Sequence, residues 1–119
     1  MCETKVLMSF LATLIGGSSE SEGNVLINGQ PICDDYWDSN DATVVCRMLG
    51  YQLGIATTES EFGDVWENFI MDNVQCEGSE DNIIDCSHIS EHNCGGSEGA
   101  GVRCLSGVRV PSGMFQIKI

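Results

Sequence analysis

Basic residues are scarce in this chain. Of its 119 residues only 5 are Lys or Arg, against 18 Asp or Glu, and the formal net charge is -13. Nucleic-acid phosphates and anionic membrane surfaces are both bound through cationic side chains, so this balance argues against either as a partner. It leaves cations, basic proteins or a partner bridged through calcium. For most of these carboxylates the plain role is an acidic, soluble surface. Several motifs are also missing. No Cys-x-x-Cys pair occurs, which weakens zinc-ribbon and thioredoxin-type readings. There is no P-loop, no dinucleotide fingerprint, no Gly-x-Ser-x-Gly elbow and no Asn-x-Ser/Thr sequon. No apolar run is long enough to span a bilayer. Neither an internal repeat nor a low-complexity stretch is present.

What the chain does have is cysteine, at positions 2, 33, 46, 76, 86, 94 and 104. Six of the seven lie in a glycine-rich body of single-domain length, and Cys2 is the odd one out. An even set in a small, loop-rich chain reads as three disulfides formed in an oxidising compartment. Spacing alone leaves every pairing open. Hydrophobic residues make up 42% of the chain, enough for a folded core.

The organising stretch runs from Cys33 to Tyr51. Cys33 is followed by the carboxylate pair Asp34-Asp35. Ala42, Val45, Cys46 and Leu49 then fall at i, i+3, i+4 and i+7, the apolar face of a helix over 41–49. Asp41 or Asn40 is expected to cap its start, and Gly50 stands where a glycine would end it. A cysteine on the buried face suits a disulfide that pins the helix to another element. The two aspartates are left to water or an ion.

The remainder reads as short strands and turns. In residues 1–17, Lys5 and the apolar run from Val6 to Ile15 resemble a signal peptide with small residues at Gly16-Gly17-Ser18. Glu3 fits that poorly, and Thr13 to Gly17 reads equally as a first strand; residues 1–11 are then an upstream segment of a longer chain. Asn24 to Ile27 is a strand leading into a hairpin turn at Asn28-Gly29. Leu53 to Thr58 and Trp66 to Val74 are further strands. Ser79 to Cys86 holds one or two capped helical turns, and Gly101 to Cys104 is a terminal core strand. In the tail, 106–119, Phe115, Ile117 and Ile119 alternate with polar residues as in an extra strand. Trp37, Trp66 and Phe69 are expected in the core.

Five motifs, in this order, resemble the scavenger receptor cysteine-rich domain: Cys-Asp-Asp-x-Trp-Asp from Cys33, Asp-Ala-x-Val-Val-Cys-Arg-x-Leu-Gly from Asp41, Asp-Asn-Val-x-Cys-x-Gly-x-Glu from Asp72, Asn-Cys at 93–94 and Gly-Val-x-Cys from Gly101. With Leu14 to Ser18 and Glu22-Gly23 the match spans nearly the whole chain, a domain over 12–105. The resemblance implies an α+β fold, a small disulfide-rich domain in which a curved antiparallel β-sheet cradles one α-helix. Tyr51 stands where the eight-cysteine subgroup has a cysteine, so the chain is similar to the six-cysteine subgroup. Its pattern implies the bonds Cys33–Cys94, Cys46–Cys104 and Cys76–Cys86. The first two close long loops, each stabilising by about 4 kcal/mol in the chain-entropy model.

By the same resemblance the domain is an extracellular recognition module, secreted or part of a membrane protein's ectodomain, of the kind found in scavenger and innate-immune receptors. It would bind a protein or a polyanionic or microbial-surface ligand, with calcium. The family's cation site maps onto Asp34, Asp35 and Glu98, and a second, less uniform site onto Asp72, Asn73 and Glu80. Three departures bear on this. Pro31-Ile32 shortens a segment that is usually Trp-Gly-Thr-Val, a Trp-Gly is missing between Cys86 and His92, and Gly99 replaces a usual aspartate. These alter the loops near the binding edge, so the ligand class does not transfer.

Other readings of the same residues remain. Asp34 and Asp35 are otherwise solvated turn residues, or pair with Arg47 or Arg103. Cys86, His88, His92 and Cys94 have the look of a zinc set, but the disulfide pattern claims both cysteines. Catalysis has little support, since a paired-carboxylate hydrolase needs a cleft that one small domain with short loops rarely offers. The function from another class is a non-catalytic accessory domain of a larger secreted enzyme such as a protease.

Overall fold

The computed structural model describes residues 10–105. Residues 1–9 of the signal-peptide reading, Cys2 among them, and the alternating tail 106–119 lie outside the described residues. Strands β1 (Ala12–Gly16), β2 (Glu22–Ile27), β3 (Gln30–Pro31), β4 (Leu53–Thr57) and β7 (Gly101–Leu105) form one five-stranded antiparallel sheet, ordered β1-β2-β7-β4 with β3 paired to the end of β2. β2 and β3 join through the two-residue turn Asn28-Gly29, where φ is 52° and 84°, the left-handed pair that a tight hairpin needs. A second, two-stranded sheet pairs β5 (Asp72–Gln75) with β6 (Ser87–Ile89). The expected strand from Trp66 to Val74 is therefore much shorter and begins only at Asp72.

Among the described residues the one α-helix, α1, spans Ser39–Met48. Its cap is neither Asn40 nor Asp41 but Asp38. The Asp38 carboxylate accepts from the N–H groups of Asn40 and Asp41, while the Asp41 carboxylate accepts from the Asp38 N–H, a reciprocal capping box. Asp41 is fully buried because its other oxygen accepts from the Cys76 N–H at 2.7 Å. Gly50 follows the helix at φ 97°, in the terminating role expected of it. Arg47 in the last turn suits the negative end of the helix dipole.

The helix lies directly on β4. A Cβ on Gly54 would come within 2.5 Å of the Ala42 carbonyl oxygen and 2.6 Å of Cys46 Sγ, so only glycine allows this approach. Disulfides Cys46–Cys104 and Cys76–Cys86 tie the helix to β7 and close the loop before β6. Val25, Ile27, Ile32, Val44, Val45, Met71, Val74, Ile83 and Val102 fill the core between sheet and helix. Trp37 is buried there and donates its ring N–H to the Gly101 carbonyl at 2.8 Å. Phe69 packs in a smaller cluster with Val65 and the Cys33–Cys94 disulfide. Trp66 does not join either cluster: it is 62% exposed, since Val65 and Phe69 take the inward positions of an irregular segment without strand alternation. Between Ser79 and Cys86 the chain makes a single 3₁₀ turn, Ile83–Asp85, capped by Asn82.

Two substitutions test this packing. Asp41→Ala is expected to lower stability by at least the ~1–3 kcal/mol of one orphaned buried donor, and Gly54→Ala by roughly the 1–3 kcal/mol typical of overpacking. Urea unfolding of the oxidised protein reads both; a midpoint unchanged in either variant contradicts the contact it removes.

Candidate cation site

The site is built by one short stretch, Pro31 to Asp34, threaded between two others. On one side the Ile70 N–H donates to the Pro31 carbonyl (2.8 Å) and the Cys33 N–H to the Met71 carbonyl (2.9 Å). On the other, the Ala100 N–H donates to the Ile32 carbonyl (2.8 Å) and the Asp34 N–H to the Glu98 carbonyl (2.9 Å). Ile32 bridges Met71 in parallel and Cys33 bridges Gly99 in antiparallel sense. The disulfide Cys33–Cys94, spanning 61 positions of sequence, fixes the same point covalently. Asp34 then opens a turn closed by the Trp37 N–H on the Asp34 carbonyl (3.0 Å), with Tyr36 at φ 67° in the position where glycine is usual. That turn, anchored by buried Trp37, projects Asp34 and Asp35 outward.

Four carboxylates meet here. Asp34, Asp35 and Glu98 each offer an oxygen within 4.8 Å of the others'. Asp35 also stands within 4.8 Å of Asp72, which the sequence placed in a different set. Two bridged sulfurs lie between them: Cys33 Sγ is 3.9 Å from Glu98 Oε1 and Cys94 Sγ 3.8 Å from Asp72 Oδ2. A bridged sulfur carries no proton, so these are packing contacts and not hydrogen bonds. The Glu59 N–H donates to Asp34 Oδ2 at 2.7 Å, and the Asn73 N–H to Asp72 Oδ1 at 2.7 Å. Beside the carboxylates an open cleft of about 470 Å³ is lined by Asp35, Asp72, Asn73, Ile89, Glu91, His92 and Asn93.

Glu80 is held elsewhere. Its carboxylate accepts from the N–H groups of Glu77 (2.9 Å) and Gly78 (3.0 Å), which keep its pKa below the usual range, and it groups with Cys76 and Cys86. The structure thus brings Asp34, Asp35, Glu98 and Asp72 together, sets Asn73 beside Asp72, and leaves Glu80 out of that group. No arginine reaches these carboxylates among the described residues. Arg47 donates to the Gly78 carbonyl and stands 3.9 Å from Asp81, and Arg103 is shared between Glu22 and Glu61 over the Phe62 ring. Cys86 and Cys94 belong to different disulfides, so neither is a thiolate for zinc. His92 Nδ1 accepts from the Cys94 N–H, and its ring meets Phe69 edge-on at 5.0 Å.

The donor set fits a hard divalent cation. Calcium takes carboxylate oxygens at ~2.3–2.6 Å, so oxygens that share one ion stand at most about 5 Å apart, and those of Asp34, Asp35 and Glu98 lie within 4.8 Å of one another. Oxygen donors select calcium or magnesium over softer metals. Burial pushes the carboxyl of Asp34 up; the Glu59 N–H opposes this, and the charges of Asp35, Glu98 and Glu59 add to it. Burial likewise raises Asp72, opposed by the Asn73 N–H and His92 and reinforced by Asp35 and Glu98. Such groups favour whatever positive charge comes within reach. Sequence reasoning missed the backbone of Glu59, which fixes Asp34, and the nearness of Asp72. The Gly99 departure has a local cause, since a Cβ there would stand 3.0 Å from Ser60 Oγ and from Val65 Cγ2.

Sheet, helix, three disulfides and acidic edge together define a small, disulfide-stabilised domain of mixed α+β type. The family model for the scavenger receptor cysteine-rich domain matches residues 15–105, and the chain belongs to that family. It is similar to a scavenger receptor cysteine-rich domain superfamily protein of Patiria pectinifera, 52% identical over 98 residues, and to macrophage receptor MARCO of Mus musculus, 46% identical over 95 residues. Each match covers 76% of this chain, which spans only 9% and 18% of those relatives' lengths. Among solved structures, the third SRCR domain of murine neurotrypsin superposes with a TM-score of 0.74 at 42% identity, covering 81% of this chain and 96% of that one. The dimeric form of the mouse MARCO SRCR domain gives 0.60 at 39%, covering 81% and 88%.

A pH dependence follows from the raised carboxyls. Asp34, Asp72 and Asp41, the last pushed up to about 6 by burial, bind protons more tightly folded than unfolded. Their contribution to stability is full below the ordinary value of 3.8 and is lost as pH rises through the raised values. Glu22 and Glu80, held below 4.5, act in the opposite sense and only beneath that value. Between pH 6 and 4.5 the cation-free protein is therefore expected to gain stability on acidification, read from urea midpoints in EDTA. A steady loss across that window would contradict the assignment.

Proposed function

We propose that this domain is an extracellular recognition module that holds a calcium ion through Asp34, Asp35 and Glu98 and uses it to engage an anionic group on a protein or a polyanionic, microbial-type surface. The observation that carries this reading is the carboxylate cluster left without an arginine partner among the described residues. A chain with 5 basic residues has little means of binding a polyanion directly, and a bound divalent ion reverses the local charge where the ligand approaches. The likeness to a macrophage receptor supports a receptor-type role. A second reading, an accessory module in a larger secreted protein such as a protease, is supported by the close fit to one numbered domain of neurotrypsin.

Calorimetric titration with calcium chloride tests the cation. Binding in the range of about 10⁻⁴–10⁻³ M is expected, as in other extracellular modules. At a hundredfold excess over the dissociation constant the ion is expected to stabilise the fold by about 2.7 kcal/mol, and Asp34→Ala/Asp35→Ala to abolish both effects. Capture on dextran sulfate beads that survives EDTA unchanged, or an absence of heat in the wild type, would remove the cation from the mechanism.

A further inference from the structure

Backbone strain gathers round the acidic edge. Among the described residues five other than glycine stand at positive φ: Asn28, Tyr36, Glu59, Ser60 and Asn73. Asn28 forms the β2–β3 turn. The other four border the carboxylates: the Glu59 N–H holds Asp34, the Asn73 N–H holds Asp72, and Ser60 Oγ accepts from the N–H of Gly99, next to Glu98. Tyr36 differs in kind, since a bulky side chain at φ 67° is rare. It joins neither apolar cluster and is 65% exposed, so packing does not account for the ring. Its place is nonetheless fixed. Trp37 on one side is buried and bonded to the Gly101 carbonyl, and Asp35 on the other lines the cleft with Asn73 and Asn93. Strain of this kind persists where the surrounding fold enforces it, and it collects at ligand sites.

We propose that Tyr36 is a ligand-contact residue, whose exposed ring stacks on the C–H face of a sugar in an anionic polysaccharide while an acid group of that polysaccharide meets the calcium ion. This rests on the cation reading above and names the contact that adds specificity to it. An ion alone distinguishes one anion from another poorly; a ring beside it selects for what carries the anion. The face of an aromatic ring is negative and attracts the polarised C–H groups of a sugar. A tyrosine has two side-chain torsions to fix, so it supplies contact area at small entropic cost. The sugar's hydroxyls find partners in the amides of Asn73 and Asn93, which line the same open cleft. A protein ligand fits less well, because its anchors seat in pockets that exclude water.

The test compares two polymers in calcium chloride: dextran sulfate, and polyvinyl sulfate, which carries the same ester on a chain without sugar rings. Tyr36→Asn and Tyr36→Gly place residues that accept the left-handed region. Each is expected to weaken dextran sulfate binding by about fivefold or more. Each should leave polyvinyl sulfate binding and the calorimetric calcium titration unchanged, with a urea midpoint no lower than that of the wild type. Tyr36→Phe keeps the ring and should bind dextran sulfate within about twofold of the wild type. An unchanged dextran sulfate affinity in Tyr36→Asn and Tyr36→Gly, or an equal loss on both polymers, overturns the contact while a normal calcium heat leaves the cation reading standing. A midpoint well below the wild type shows a ring kept for stability and overturns the contact as well. No calcium heat in the wild type overturns the cation reading and the contact built on it.

Discussion

Cys33 is held from three directions, and the acidic edge depends on that. Its N–H is bonded to the Met71 carbonyl, the next N–H to the Glu98 carbonyl, and its sulfur to Cys94. Remove these ties and Asp34, Asp72 and Glu98 are separated by dozens of residues of a chain that repels itself. The ties overcome that repulsion because main-chain bonds in a buried strand segment are insensitive to charge, and because the disulfide removes much of the unfolded chain's freedom before any carboxylate is brought close. The fold holds together groups that would otherwise move apart. The proposed cation would find them pre-arranged, with little further ordering to oppose its binding.

Periodicity made the helix legible, and Asn28-Gly29 the hairpin, because both are local features of covalent geometry. The helix begins at Ser39, two residues before the 41–49 span that the periodicity predicts. Asp38 looked like part of the Cys-Asp-Asp-x-Trp-Asp block, and a carboxylate buried at the third helical position, as Asp41 is, runs against the rule that ionised groups face water. The length of β5 was overestimated for a related reason. An apolar run from Trp66 onward has no marker for where it leaves a sheet, and burial here alternates irregularly under the Cys33–Cys94 bridge. The family pattern named Asp34, Asp35 and Glu98, which the structure brings together, and Glu80, which it leaves apart. It did not carry the meeting of Asp35 with Asp72, a tertiary distance set by parallel pairing of Ile32 with Met71. No spacing rule encodes a single parallel bridge.

The distribution of charge explains why the cluster stands out from the rest of an acidic molecule. Several other carboxylates have local employment. Asp38 and Asp41 cap the helix, Glu80 gathers two turn N–H groups, Glu22 and Glu61 share Arg103, and Asp81 approaches Arg47. Between them these take up the two arginines of residues 10–105, a stretch with no lysine. At the edge formed by Asp34, Asp35, Asp72 and Glu98 the balance differs: two backbone N–H groups serve four side chains, and burial raises two of those acids. Proteins place strained or poorly compensated groups at functional sites more readily than in structural ones, because the missing partner arrives with the ligand. Tyr36 points the same way. A bulky residue at φ 67°, 65% exposed, occupies the turn that presents Asp34 and Asp35, where glycine would be easier. Electrostatic self-repulsion and backbone strain therefore fall on the same few residues, next to the Cys33–Cys94 disulfide that fixes their place.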